Sequence, residues 1–146
     1  MFYPALVFRE GRHWLAEFPD APGCQTFADS ETALMARAAE ALEGWLEAHL
    51  VDGQAPPAPK RSRRAEKGQQ IRIVRVSPAL AVAVQLRWAR ARAKLTQAEV
   101  AKLAGVSQQQ VAKLERPGEN PTIATLEKVT RALGATLDIS VRRPAA

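Results

Sequence analysis

Thr96-Gln97-Ala98-Glu99-Val100-Ala101-Lys102-Leu103-Ala104-Gly105-Val106-Ser107-Gln108-Gln109-Gln110-Val111-Ala112-Lys113-Leu114-Glu115 is the stretch around which the rest of this 146-residue chain is organised. Thr96 and Glu99 have the Thr-x-x-Glu spacing of a capping box, in which each side chain satisfies the other residue's backbone N–H, so a short helix starts here. Gly105 can take a positive φ and ends that helix in a three-residue turn. Ser107 can cap a second helix over residues 108–115, which Arg116-Pro117-Gly118 stops. Leu103, Val106, Val111 and Leu114 supply the positions that face a core, and Ala101 is small where the two helices approach. Most outward positions are polar.

Outward from this pair the chain stays helical. Pro78 opens a helix predicted to run to Lys94, and Pro121 or Thr122 starts another that ends at Gly134 with Arg131 in its last turn. Leu137, Ile139 and Val141 alternate over residues 136–141, which predicts a terminal strand. The helix after Ser107 exposes Gln108, Gln109 and, one turn on, Lys113. Glutamine can pair with adenine N6 and N7, and lysine can donate to guanine O6 and N7. The stretch from Thr96 to Glu115 resembles the Xre/Cro phage-repressor family, whose members read bases from these positions. That resemblance implies that Gln97 hydrogen-bonds phosphate and that Arg90 and Glu115 form a partly buried salt bridge. The expected DNA-contact set is Gln97, Lys102, Ser107, Gln108, Gln109, Gln110, Lys113, Asn120 and Thr122. Lys102, Asn120 and Thr122 are backbone contacts in this reading, or else solvated surface.

The N-terminal half has the period of a sheet. Residues 2–8 are apolar, Gly11 follows a polar step, and Trp14, Ala16 and Phe18 share one face, which together read as a hairpin. Pro19-Asp20-Ala21-Pro22-Gly23 ends the second strand, and a short third strand is expected over residues 25–28. Asp29 and Ser30 are candidate caps for a long helix to about Leu50, with Leu34, Ala38, Ala41, Leu42 and Trp45 on the stripe that packs on the sheet. Residues 52–70 hold Pro56, Pro57, Pro59 and the run Lys60-Arg61-Ser62-Arg63-Arg64 without hydrophobic period, which predicts a flexible linker or exposed loop. Ile71 to Val76 is β-branched and is expected to return to the sheet as a fourth strand.

Charge separates the halves. Residues 1–50 carry three Arg/Lys against eight Asp/Glu, a net −5; residues 51–76 carry seven against two, +5; residues 77–146 carry eleven against five, +6. A basic tail suits a polyanion, and an acidic head suits a cationic surface or simply keeps the chain in solution. No apolar run approaches a membrane span and the N-terminus lacks the pattern of a signal peptide, so a cytoplasmic protein is expected, without membrane contact. One cysteine, Cys24, and two scattered histidines, His13 and His49, exclude a disulfide scaffold and a zinc cluster.

Tyr3-Pro4, Phe18-Pro19-Asp20-x-Pro22-Gly23-Cys24-x-Thr26, Asp29-Ser30 and Ala38-x-Glu40-Ala41-Leu42-x-x-Trp45-Leu46-Glu47 are similar to the HicB antitoxin family. With the following strand the resemblance covers about residues 1–76 and departs at Phe27-Ala28, where the family commonly has a glycine before the aspartate. It implies a partial RNase H-like fold that binds and occludes a small HicA-like ribonuclease toxin, with Tyr3, Phe18, Pro19, Asp20, Pro22, Gly23 and Cys24 as candidate toxin contacts. Core packing for Phe18 and Cys24 and a turn role for Asp20 are the structural alternatives. A nuclease using this fold would need converging carboxylates. The strand carboxylates are only Glu10, Glu17 and Asp20, so no catalytic residue, metal or other cofactor is assigned.

The expected fold class is α+β: a small N-terminal sheet with one helix over residues 1–76, and an all-α helix-turn-helix domain with a terminal strand over residues 77–146. The expected function is an antitoxin that neutralises its toxin and represses its own operon by binding palindromic double-stranded operator DNA. The homodimer should form through the strand at 136–141, with a tetramer if the N-terminal domains also pair. A stand-alone repressor with a ligand-sensing N-terminal domain, and an enzyme built on that domain, are the rival readings.

Overall fold

The computed structural model describes residues 1–60 and 64–143. Arg61, Ser62 and Arg63 of the basic run lie outside the described residues. The chain is α+β, with a four-stranded antiparallel sheet in the order β3-β2-β1-β4. β1 (Phe2–Glu10) turns through Gly11, at φ 59°, into β2 (His13–Glu17), and β3 (Gln25–Ala28) adds on the far side of β2. β4 (Gln69–Arg75) returns to the other edge of β1, pairing Phe2 with Arg75 and Phe8 with Gln69. The hairpin, the third strand and the returning fourth strand are all where the sequence places them.

α1 (Glu31–Val51) starts at Ser30, whose hydroxyl accepts the Ala33 N–H at 3.2 Å. Its buried stripe is Leu34, Ala38, Leu42, Leu46 and Leu50, a run at i, i+4 that packs onto Tyr3, Ala5, Val7, Ala16 and Val74. Ala41 and Trp45, expected on this stripe, sit half-buried at its margin, where Trp45 Nε1 donates to the Pro22 carbonyl. The stripe is narrower and longer than the sequence suggested. A flat sheet touches a helix along one ridge, and leucine every fourth residue follows that ridge.

Residues 53–60 are anchored rather than free. Tyr3 Oη donates to the Pro57 carbonyl at 2.7 Å, Trp88 Nε1 donates to the Pro56 carbonyl at 2.6 Å, and the Lys60 N–H donates to Asp20 Oδ2 at 3.0 Å. Pro56 is fully buried. Of the two expected forms, a flexible linker or an exposed loop, residues 53–60 have the second: a mostly exposed loop held at a few points, because proline carbonyls remain strong acceptors even where the ring removes a donor.

α2 (Pro78–Ala93), α3 (Gln97–Ala104), α4 (Gln108–Leu114) and α5 (Ile123–Ala132) follow. α2 begins just past the boundary expected after residue 76, and its side chains enter both cores. Leu80, Ala81, Ala83 and Val84 complete the core under the sheet, while Leu86 joins Val100, Ala101, Val111, Leu114, Leu126 and Val129 in a second core.

One expectation fails in this second unit, and the terminal strand, expected to pair with a second copy, has no partner among the described residues. Leu103 is 63% exposed, beside Lys128, Arg131 and Ala132 of α5, because an eight-residue helix buries only Val100 and Ala101. Residues 136–141 form no strand within the chain. Leu137 packs half-buried on the second core, whereas Ile139 and Val141 are exposed. Alternation alone cannot make a strand, which needs a hydrogen-bonded neighbour, and α5 offers none.

Candidate nucleic-acid interface

α3 and α4 are fixed by two reciprocal caps. Thr96 Oγ1 accepts the Glu99 N–H at 3.2 Å and Glu99 Oε2 accepts the Thr96 N–H at 2.7 Å. The Thr96 N–H and the Thr96 hydroxyl, both donating to Oε2, hold the Glu99 carboxyl below the ordinary carboxylate range. Ser107 and Gln110 repeat the arrangement at the head of α4: Ser107 Oγ accepts the Gln110 N–H at 3.1 Å and Gln110 Oε1 accepts the Ser107 N–H at 2.9 Å. This second box was legible as Ser-x-x-Gln and was missed. It engages Ser107 and Gln110 with each other through Oγ and Oε1; Gln108, Gln109 and Lys113 are, like Gln110, exposed polar side chains of α4. Gly105 turns α3 into α4 at φ 66°.

The far end of α4 is held by charge. Glu115, 2% exposed, takes Arg90 in a two-pronged pair, Nε to Oε1 at 2.5 Å and Nη2 to Oε2 at 2.8 Å. Its hydrogen bonds to Glu115 are the main reason that the Arg90 pKa is raised. Gln97 Nε2 donates to Glu115 Oε2 at 3.1 Å, which uses one of the two amide N–H groups of this half-buried side chain. Arg87 Nε lies 2.8 Å from the same oxygen, without hydrogen-bond alignment, as an ion pair. Desolvation lowers the Arg87 pKa, and Glu115 opposes that fall. Arg87 was not singled out from sequence; its place three residues before Arg90 was the only signal. Lys102, Asn120 and Thr122 are exposed, and Thr122 caps α5 by accepting the Thr125 N–H at 3.2 Å.

The candidate toxin contacts divide by burial. Tyr3, Phe18, Asp20 and Cys24 are withdrawn into the first core, Pro19 is half-buried, and only Pro22 and Gly23 are exposed. Burial pushes the Cys24 thiol up to about 11 and the Tyr3 phenol well above its usual value, so both stay neutral. The face of the sheet opposite α1 offers more surface. Strand alternation and register bring Phe8, Leu15 and Phe27 into one row and Leu6, Ile71 and Ile73 beside it. Phe2, Phe27 and Ile73 are exposed there, a run of apolar surface that the sequence reading overlooked. Among the described residues no group of three or more His, Cys, Asp or Glu is placed to hold a metal ion, and no helix is long and apolar enough to cross a membrane.

Two family models match overlapping stretches of the chain. Residues 86–139 match the helix-turn-helix family model, and residues 3–103 match that of the HicB-like antitoxins of bacterial toxin-antitoxin systems. Antitoxin HicB 2 of Photorhabdus laumondii is 26% identical over 139 residues, which is 95% of each protein. A chain from a HicA3 and HicB3 toxin-antitoxin complex aligns over 53% of this chain and all of its own, at 26% identity and a TM-score of 0.46. With its sheet, long helix and first helices of the second unit inside the matched span, the chain belongs to the HicB-like antitoxin family and carries a helix-turn-helix.

Proposed function

We propose that this chain is a cytoplasmic, non-catalytic regulator that neutralises a HicA-like ribonuclease toxin with residues 1–76 and represses its own operon with residues 77–146. The observation that carries the reading is the presence, in one chain, of the antitoxin-family match over residues 3–103 and of a rigidly capped helix exposing Gln108, Gln109 and Lys113. The toxin docks on the open face of the sheet, where Phe27 and Ile73 present apolar surface; the −5 of residues 1–50 suits a basic partner, although the +5 of residues 51–76 balances it over the whole unit. The operator is a palindrome read by a homodimer in which residues 136–141 of two copies pair as strands, with a tetramer if the N-terminal units also associate.

Co-expression with the toxin tests the first half. The intact chain should restore growth and co-purify with the toxin, whereas Phe27→Asp with Ile73→Asp should lose both while keeping a wild-type melting curve. Failure of the intact chain to rescue growth would remove the antitoxin role. Undiminished co-purification of the folded double variant would move the docking site off the open sheet.

A further inference from the structure

Arg87 occupies the stripe of α2 that faces the first core, one turn beyond Leu80, Ala83 and Val84. It is 7% exposed, and a buried guanidinium persists only where partners replace its water. Those partners belong to different halves of the molecule. Nη1 donates to the carbonyl of Gly53, just past the end of α1, and Nε pairs with Glu115 at the end of α4. The neighbouring Trp88 donates to Pro56, and Pro57 in turn accepts from Tyr3 of β1. Around Arg87, Leu50 and Val51 face Ala112, Arg116 and Pro117 across one groove.

The Arg90–Glu115 pair lies wholly within the helical unit and would hold α4 on α2 by itself. α2 already enters the first core, and Arg87 adds to that a direct polar connection from α4 to the loop after α1. A guanidinium spreads its charge over three nitrogens, so one can donate to a carbonyl while another faces a carboxylate; an ammonium is a single point charge.

We propose that Arg87 is a positioning residue for DNA reading: through Gly53 and Glu115 it fixes the recognition helix α4 to the N-terminal unit, so that both halves meet DNA as one rigid body. The proposal rests on the reading of α4 as the base-contacting helix. Its consequence is that the orientation of α4 depends on residues 50–57, which touch no DNA themselves.

The test uses the full chain and a duplex enriched from a random pool with the wild-type protein. For Arg87→Lys, affinity for the enriched duplex should fall about tenfold while affinity for a random duplex changes by less than about threefold. Nitrogen-15 relaxation should then give the two halves separate rotational correlation times, where the wild type has one. Trp88→Phe, which removes the donor to Pro56 and keeps the ring, should shift both readouts in the same direction by less. It carries the test if circular dichroism shows Arg87→Lys to be unfolded. Equal losses on both duplexes, an unchanged preference, or a single shared correlation time in the folded variants would overturn the proposal. If the wild-type chain enriches no duplex, the DNA-reading role itself fails, and this proposal falls with it.

Discussion

Glu115 shows how far the role of one residue depends on its neighbours. Buried alone, its carboxylate would be costly; here it receives Arg87, Arg90 and Gln97 and ends the helix that presents Gln108, Gln109 and Lys113. Those three side chains are exposed and project from the capped end or the next turn of α4. If they read base edges, alanine at each should weaken cognate binding by about 1–3 kcal/mol. Binding to random duplex should change little for Gln108 and Gln109. Competition binding at fixed salt checks this, and a matching loss on random DNA would reassign the residue to phosphate contact.

Each short helix of the second unit depends on its cap. α4 has seven residues, too few to persist without capping and packing. Ser107→Ala removes the acceptor for the Gln110 N–H and should cost about 1 kcal/mol in urea unfolding, with a larger loss of cognate binding than of random binding. The cap of α3 adds a pH dependence. Hydrogen bonds from Thr96 depress the Glu99 pKa in the folded chain, so the carboxylate's contribution is complete above the unfolded value of about 4.3. It is lost as pH falls through the lower folded value. Glu99→Gln should therefore flatten that acidic limb in a circular dichroism titration; an unaltered limb would mean that the box carries no such stability.

At the scale of the whole molecule, the proposed reading of a palindrome requires two copies of α4 held at the spacing of successive major grooves, roughly 34 Å. Residues 136–141 have no ladder partner in the chain and expose Ile139 and Val141, while Leu103 and Ile123 add exposed apolar surface on the same unit. Unpaired backbone next to apolar side chains favours pairing with a second copy. Truncation after Gly134 should give a monomer by light scattering and abolish high-affinity binding to a palindromic duplex. A truncated chain that stays dimeric with unchanged affinity would place the contact elsewhere, for instance on the open sheet.

Local rules made much of this legible before any coordinates. The Thr-x-x-Glu box, Gly105 at its turn, Ser107 and the Pro78 start each act within a few residues, so the helices of the second unit follow from the sequence nearly to the residue. The hairpin and the β-branched return strand were visible for the same reason. The sequence alone could not determine which acceptors long side chains would find. Arg87 reaches Gly53, 34 positions away, Trp88 reaches Pro56, and Tyr3 reaches Pro57, so a proline-rich stretch that reads as a flexible linker or exposed loop is tied to both halves. Leu103 and residues 136–141 show the converse: an apolar period states what could be buried, but only the packing of other elements decides whether anything is there to bury it. Helix starts are set by neighbours in the chain, whereas burial and long-range pairing are set by neighbours in space, and those exist only once the chain has folded.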